Sequence, residues 1–589
     1  MKSILLLWNL MNLGEKFEML SERQMFDMRK AKYILKNNEI QLVCDSQEAQ
    51  ACCELIRMRD SKGSIHSDFW GHPTFNVRLS DGCTIVSLPV NVQNISVIHD
   101  CGVFPDRSDK ETMQRLSFFV PSKKEFSTNF PLMPFQIDGA RWLVQGDLRR
   151  ILAYPMGLGK TITAMAAIMA DPEKYLPAII IAPAHVKLNW ASEWEKWGGS
   201  TDEVAVLFGR TPKPSLLLNK KLIVLNHHIL SAWNETLISM KPKTLIIDEA
   251  HSFVNSNTKT YPVALRLAKA CSRRVLLLTA TPLVNDLNDL WGLCNLINPD
   301  ILGTKGVFEK TFMPEESAKK RMFASRWSGG FQKTGWQAVA RARLPKDVMD
   351  KRIEELGSIL RRLVILRVEK GDVYDQLPNI TETKLRIDVP RTTQEGKAFW
   401  LVEETCQMQI AEAKEDVLAS DQMLPAFNKA RQNAASIKVK EAIEWIQNFL
   451  DESSPEEKLV VVGWSVKPLE ELHAHFRKHS LLINGNIDAR KKKERGDTFK
   501  SDPQKRILFG NVKSIGTGID QLAVASTMFF LELPLTAVDF EQAKGRIDRL
   551  SQKSKALSYY YMTVKDSIEE KMIWKIITKK QQMTKGLGL

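Results

Sequence analysis

An apolar run, a glycine loop and a helical segment follow one another without a break from Arg150 to Ala170, reading Arg150-Ile-Leu-Ala-Tyr-Pro-Met-Gly-Leu-Gly-Lys-Thr-Ile-Thr-Ala-Met-Ala-Ala-Ile-Met-Ala170. This succession restricts the fold more than any other stretch. A strand that passes through glycines into a helix belongs in an α/β sheet, with its loop at the strand's carboxyl end. Gly157 and Gly159 let backbone N–H groups close on an anion, the helix offers its positive end, and Lys160 adds a full charge. Met156 and Leu158 complete the loop, and Thr161 can supply a hydroxyl to Mg²⁺. The strict phosphate-loop pattern has glycine where Tyr154 stands, so a chance turn is the alternative reading of this stretch alone. A second stretch decides against it. In Leu245-Ile-Ile-Asp-Glu-Ala-His251 an apolar run ends in two carboxylates, Asp248 and Glu249, at the sheet edge where nucleotides bind. A solvated Asp-Glu turn explains the second stretch by itself but not the two in this order.

Further short apolar runs alternate with helical segments: Ala178-Ile-Ile-Ile181, Leu222-Ile-Val-Leu225 and Val275-Leu-Leu-Leu278. Alternation of this kind predicts a parallel sheet covered on both faces. Trp190, Trp194 and Trp197 share one helical face and read as core rather than as a stacking platform. Gln136, just after Pro134, can present its amide to an adenine edge, a plain surface glutamine being the alternative. A second α/β block follows, with strands at Lys458-Leu-Val-Val-Val-Gly463, Leu481-Leu-Ile483, Arg506-Ile-Leu-Phe509 and Met528-Phe-Phe-Leu-Glu532. It has no Gly-Lys-Thr of its own. Arg546 and Arg549 are spaced to share a helix face, and they are read as the cations a one-loop ATPase needs for charge developing on the γ-phosphate, a solvated stripe being the alternative. Ahead of both blocks, Phe75–Leu79 and Thr84–Pro89 flank Asp81-Gly82 as a β-hairpin, and residues 49–58 look helical. Residues 1–130 are therefore expected to form a small α+β accessory domain and a possible docking site for a protein partner.

At 589 residues the chain needs several cores, and 44% hydrophobic with 26% charged residues is an ordinary globular composition. The formal charge of +14 points to a polyanion, nucleic acid first, ahead of membrane surfaces and acidic proteins. The eight cysteines show neither a Cys-x-x-Cys pair nor a zinc spacing with histidine, so reduced thiols are expected. No run approaches the roughly twenty apolar residues needed to cross a bilayer.

From near Leu132 to near Lys575 the chain resembles the Swi/Snf-like branch of superfamily-two helicases. Met156-Gly-Leu-Gly-Lys-Thr161 is similar to the phosphate loop of that family, Asp248-Glu-Ala-His251 to its DEAH box, and Leu278-Thr-Ala-Thr-Pro282 with Asn285 to its coupling motif. Gly516-Thr-Gly-Ile-Asp-Gln-Leu522 and Gln542 to Gln552 resemble its last two motifs, and Asp566–Lys571 its closing helix. The chain departs from the pattern at Tyr154-Pro155, where two acids are usual, at Ala280 for glycine, at Leu535-Thr536 for Trp-Asn and at Asp548 for histidine. The resemblance implies two tandem RecA-like domains that clamp ATP·Mg²⁺ and move along DNA without separating its strands. Lys160 would hold the β- and γ-phosphates, Thr161 and Asp248 the Mg²⁺, and Gln136 the adenine. Glu249 would deprotonate the attacking water, with Arg546 and Arg549 stabilising the transition state. Thr279, Thr281, Gly518 and Asp520 would couple hydrolysis to movement.

The domains expected are residues 1–130, a first RecA-like domain at 131–300, a basic helical insertion or linker at 301–380 and a second RecA-like domain at 381–589. Between Ile301 and Lys370 sixteen lysines and arginines face eight acids. Within that stretch Lys319, Lys320 and Arg321 are candidate DNA-phosphate contacts, a solvated basic linker being the alternative. Duplex or branched DNA is the partner implied. A strand-separating or fork-reversing helicase is the nearest rival function, and a nucleotide-bound scaffold is the rival of another class. Compactness suggests a phage or bacterial member acting in the cytoplasm, or in the nucleus if the source is eukaryotic.

Overall fold

The computed structural model describes residues 32–36, 39–44, 76–80, 83–90, 95, 104–106, 108–117, 126–184, 186–283, 287–314, 317, 346–373, 378–413, 424–485, 487, 489–515, 519–534, 536–549 and 552–573. The main break between two compact units falls at Arg367–Val368. Lys319, Lys320, Arg321, Asn285, Gly518, the Asp81-Gly82 turn and the helix expected at 49–58 lie outside the described residues.

The first unit is built on a seven-stranded sheet in the order Ile365–Leu366, Arg150–Leu152, Val275–Leu278, Thr244–Asp248, Ala178–Ile181, Leu222–Leu225, Val204–Val206. Every pairing in it is parallel. The four-residue apolar runs make this arrangement possible, because each inner strand is buried on both faces and needs no polar side. Two strands escaped the sequence reading. Val204–Val206 is only three residues long, and Ile365–Leu366 only two. The second of these lies within the stretch expected as a basic insertion or linker: it adds a strand beside Arg150–Leu152, and that stretch is divided, its described residues up to Arg367 grouping with the first unit and those from Val368 with the second.

A five-stranded sheet precedes this, with Asn76–Ser80 and Cys83–Pro89 paired antiparallel in the register Ser80 to Cys83 that a two-residue hairpin turn requires. Helix Lys110–Ser117 packs on this sheet, and Leu35 N donates to Thr112 Oγ1 at 2.7 Å. Arg115 joins the small sheet to the turn after helix Leu287–Ile297 through a bidentate pair with Asp300, at 2.8 and 2.7 Å, while also donating to Leu35 O.

The second unit has a six-stranded parallel sheet ordered Asn379–Ile387, Ala556–Val564, Thr527–Phe530, Leu459–Gly463, Ile507–Asn511, Ser480–Ile483. Period-two alternation divides its strands between two cores. Val460, Val462, Met528 and Phe530 enter one, while Leu459, Val461, Phe529 and Leu531 enter the other. Among the described residues, no helix is long and apolar enough to cross a membrane.

The C-terminal segment is fastened to this unit by a buried ion pair. Lys438 Nζ donates to Glu569 Oε2 at 2.7 Å and to Met562 O at 3.0 Å, and Glu569 Oε1 accepts from Leu533 N. Both side chains are almost wholly buried, at 0% and 4% exposure. Glu569→Ala should therefore leave an uncompensated ammonium and lower the unit's stability by about 3–5 kcal/mol, whereas Lys438→Met with Glu569→Leu should recover much of the loss. Denaturant midpoints of the three proteins, followed by circular dichroism, check this.

Candidate active site

Strand Arg150–Leu152 is buried, as are Ala153 and Tyr154, and the chain then turns through Gly157 (φ +84°) and Gly159 (φ +78°) into helix Lys160–Met169. Both angles lie in the left-handed region that a Cβ disfavours, so these two positions require glycine. Lys160 Nζ donates to Tyr154 O at 3.1 Å, which holds the ammonium at its own loop.

Tyr154 has a structural task of its own. Its hydroxyl donates to Phe135 O at 3.0 Å, and a Cβ at Gly139 would come within 2.1 Å of that hydroxyl. The end of the strand is thus pinned to helix Pro134–Gln145. Gln136 lies in the first turn of that helix, 5% exposed, with its Oε1 accepting from Met133 N at 3.0 Å. The amide read from sequence as an adenine contact also caps its own helix.

Two strands away, Asp248 ends Thr244–Asp248 and is 8% exposed. Trp190 Nε1 donates to its Oδ2 at 2.9 Å, and Glu249 N donates to its Oδ1 at 3.0 Å. Burial pushes the Asp248 carboxyl up to about 6, and the neighbouring Glu249 charge adds to the shift. The Trp190 hydrogen bond and the positive Lys160 pull the other way, so the phosphate-loop lysine acts electrostatically on this carboxylate. Glu249 takes φ +50° and ψ +53°, a strained conformation for a residue with a side chain. Its Oε2 lies 3.1 Å from His251 Nδ1.

On the strand between, Thr279 follows Val275–Leu278 and is fully buried. Its hydroxyl accepts from Thr281 N and donates to Thr281 O, both at 3.1 Å, and its own N donates to Leu152 O. The edge thus brings Lys160, Thr161, Thr279, Asp248 and Glu249 to the carboxyl ends of three adjacent strands.

Oxygen donors at Thr161 and Asp248 suit a hard cation, and the raised carboxyl is what a cation would relieve. Among the described residues no group of three His, Cys, Asp or Glu is placed to hold a metal unaided.

In the second unit, Asp520 opens the short turn Asp520–Val524, and Gln542 lies in helix Ala537–Lys544. The arginines differ from the sequence reading. The helix is capped at Gly545, whose N donates to Glu541 O, and Arg546 and Arg549 sit in the turns beyond it rather than on a helix face. Arg546 is 6% exposed, and Arg549 Nε donates to Gly545 O at 3.1 Å.

Sequence reasoning placed Trp190 and Trp194 correctly in the core, at 0% and 3% exposure, but missed what Trp190 does there. A buried indole N–H needs an acceptor, and that requirement was the available signal. It gave no role to His251 either.

Asp248→Asn removes a carboxyl whose raised pKa makes the folded protein bind its proton more tightly than the unfolded chain does. Such a group favours folding below about pH 4, and its contribution is lost as pH rises through the folded value near 6. The stability of nucleotide-free Asp248→Asn relative to wild type should therefore rise between about pH 4.5 and about pH 7.5 and then level off, as read from urea midpoints across that range.

The SNF2-related domain family matches residues 135–436. The chain is 24% identical over 488 residues to the DNA annealing helicase and endonuclease ZRANB3 of Bos taurus, covering 81% of this chain and 42% of that protein. It is 25% identical over 467 residues to the SWI/SNF-related matrix-associated actin-dependent regulator of chromatin subfamily A-like protein 1 of Xenopus laevis, covering 78% and 44%. The chain thus spans less than half the length of these relatives. Among solved structures, the Sulfolobus solfataricus SWI2/SNF2 ATPase core in complex with dsDNA aligns with a TM-score of 0.35 and 19% identity, over 78% of this chain and 94% of that one.

Proposed function

Since the matched domain takes in more than half of its residues, this chain belongs to the SNF2-related family, and we propose that it is a DNA-dependent ATPase that couples hydrolysis to movement along duplex DNA. The observation that carries the reading is the convergence of a glycine-turned phosphate loop, Lys160 and the Asp248–Glu249 pair on one edge of a parallel sheet. The relative named for DNA annealing and the formal charge of +14 support DNA as the partner. Lys319, Lys320 and Arg321 are proposed phosphate contacts, with Thr279, Thr281, Gly518 and Asp520 as coupling residues.

In this mechanism the N–H groups of Met156–Thr161 and the Lys160 ammonium receive the β- and γ-phosphates. Gln136 is assigned to the adenine edge. Thr161 and Asp248 would hold Mg²⁺, which when bound draws charge from the phosphate oxygens. Glu249 orients a water and takes its proton as the water oxygen attacks the γ-phosphorus. The bond to the β–γ bridging oxygen breaks, giving ADP and phosphate. Arg546 and Arg549 are assigned to the charge that builds on the transferring group.

The test is to measure ATPase rates with single-stranded, duplex and forked DNA beside triplex-displacement and unwinding assays. Duplex stimulation with triplex displacement and no unwinding supports the translocase, unwinding favours the helicase, and no hydrolysis leaves the scaffold.

Lys160→Ala should weaken ATP binding, whereas Glu249→Gln should keep binding and stop turnover, because the lysine meets ground-state phosphates and the glutamate acts in the chemical step. Equilibrium binding beside single-turnover hydrolysis separates the two, and near wild-type hydrolysis by Glu249→Gln would remove it from the role of base.

Arg546→Ala and Arg549→Ala should each leave ATP affinity almost intact while turnover falls, by up to about a thousandfold if they act as transition-state cations. Unchanged turnover in both would return them to a structural part in their turn.

A further inference from the structure

The indole of Trp190 spends its only polar group on the carboxylate that the proposed chemistry needs. It is 0% exposed, and its N–H lies 2.9 Å from Asp248 Oδ2. The other oxygen of Asp248 accepts from Glu249 N, the backbone of the next residue, which moves with Asp248 itself. One such bond leaves the plane of the carboxyl free to turn. A second donor from a separate element fixes it, and helix Lys187–Lys196 supplies that donor. The helix is itself held at its start, where Lys187 Nζ donates to Leu207 O at 2.7 Å and lies 3.9 Å from the centre of the Phe208 ring.

We infer that Trp190 is a positioning residue, which sets the Asp248 carboxylate in the orientation that receives Mg²⁺ with the nucleotide and links helix Lys187–Lys196 to the ATP site. This rests on the ATP-site reading above. An aromatic ring alone would fill the same space, so packing does not require the N–H. Removing it leaves Asp248 buried with one donor fewer, and outer partners of metal-binding carboxylates are worth about 10–100-fold in affinity or activity.

The experiment uses the full chain as wild type, Trp190→Phe and Trp194→Phe, the last removing a buried indole from the same helix without touching Asp248. Circular dichroism and melting establish folding. Anisotropy of N-methylanthraniloyl-ADP, with and without Mg²⁺, gives the factor by which the metal tightens nucleotide binding, and steady-state kinetics give kcat and KM for ATP. Trp190→Phe should lose about tenfold or more of that tightening and a similar factor in kcat, while its metal-free affinity stays within about twofold. Trp194→Phe should match wild type in the tightening factor.

A second measurement does not depend on Trp190→Phe folding. In wild type carrying nitrogen-15 in its fourteen indoles, Asp248→Asn should move one indole proton resonance to lower frequency, as a charged acceptor becomes a neutral one. Wild-type metal tightening in Trp190→Phe, or no indole resonance moved by Asp248→Asn, overturns the role of Trp190 and leaves the ATP reading standing. A wild type that binds the analogue equally well with and without Mg²⁺ overturns the ATP reading, and this inference with it.

Discussion

Asp248 must carry negative charge at the end of a strand from which water is nearly excluded, and much of the first unit can be understood from how that charge is tolerated. An all-parallel sheet buries both faces of its inner strands, so polar groups collect where the strands end. Burial raises the carboxyl of Asp248, and the adjacent Glu249 makes its ionisation harder still. Against this stand an indole N–H, a backbone N–H and the positive field of Lys160. The result is a carboxylate held in place at the cost of its own stability. A site in that state gains more from an arriving cation than a solvated carboxylate would, because water has not already neutralised it.

The sequence made the centre of each sheet legible and left its margins obscure, for one physical reason. Ala178–Ile181, Leu222–Leu225 and Val275–Leu278 are buried on both faces and therefore uniformly apolar. Asn379–Ile387 lies at a sheet edge with one side open, and its alternating Thr, Glu, Lys and Arg conceal a nine-residue strand. Ala556–Val564 was missed because Ser558 and three tyrosines interrupt the apolar signal, although Tyr559 and Tyr561 are fully buried. In the site, residue type and order pointed to Lys160, Asp248 and Glu249, since few other chemistries use them together. Contacts between elements could not be read. The bonds from Trp190 to Asp248, 58 positions apart, and from Tyr154 to Phe135 depend on how helices pack on the sheet. The arginines show the converse error: a three-residue spacing suits a helix, but Gly545 ends the helix before either is reached.

The second unit handles buried charge by pairing instead. Lys438 and Glu569 neutralise each other in the interior, and Glu532 accepts from Trp464 N, Ser465 N and Ser465 Oγ at the start of helix Val466–His475. Glu403 accepts from Ile568 N at 2.7 Å, and burial nevertheless raises its carboxyl to about 7. Glu403 ties helix Gln394–Ala413 to Ile568, and Lys438, at the start of helix Val439–Glu452, ties that helix to Glu569. Their donors are already engaged, which suits them to fastening rather than to chemistry.

Departures from the family pattern can be weighed by the same criterion, namely whether the replaced group would have touched phosphate or had a structural task. Tyr154 stands where an acid is usual, and its hydroxyl and ring are occupied by Phe135 and by the space that Gly139 leaves. An acid there would put a second carboxylate behind the phosphate loop, near Lys160, and would lose the tie to the helix that carries Gln136. Thr536 stands where asparagine is usual, and its Oγ1 accepts from Asp539 N at 3.0 Å as the cap of helix Ala537–Lys544. Threonine and asparagine do the same work at that position. In both places the substituted side chain serves its own local framework, a tie between strand and helix at Tyr154 and a helix cap at Thr536.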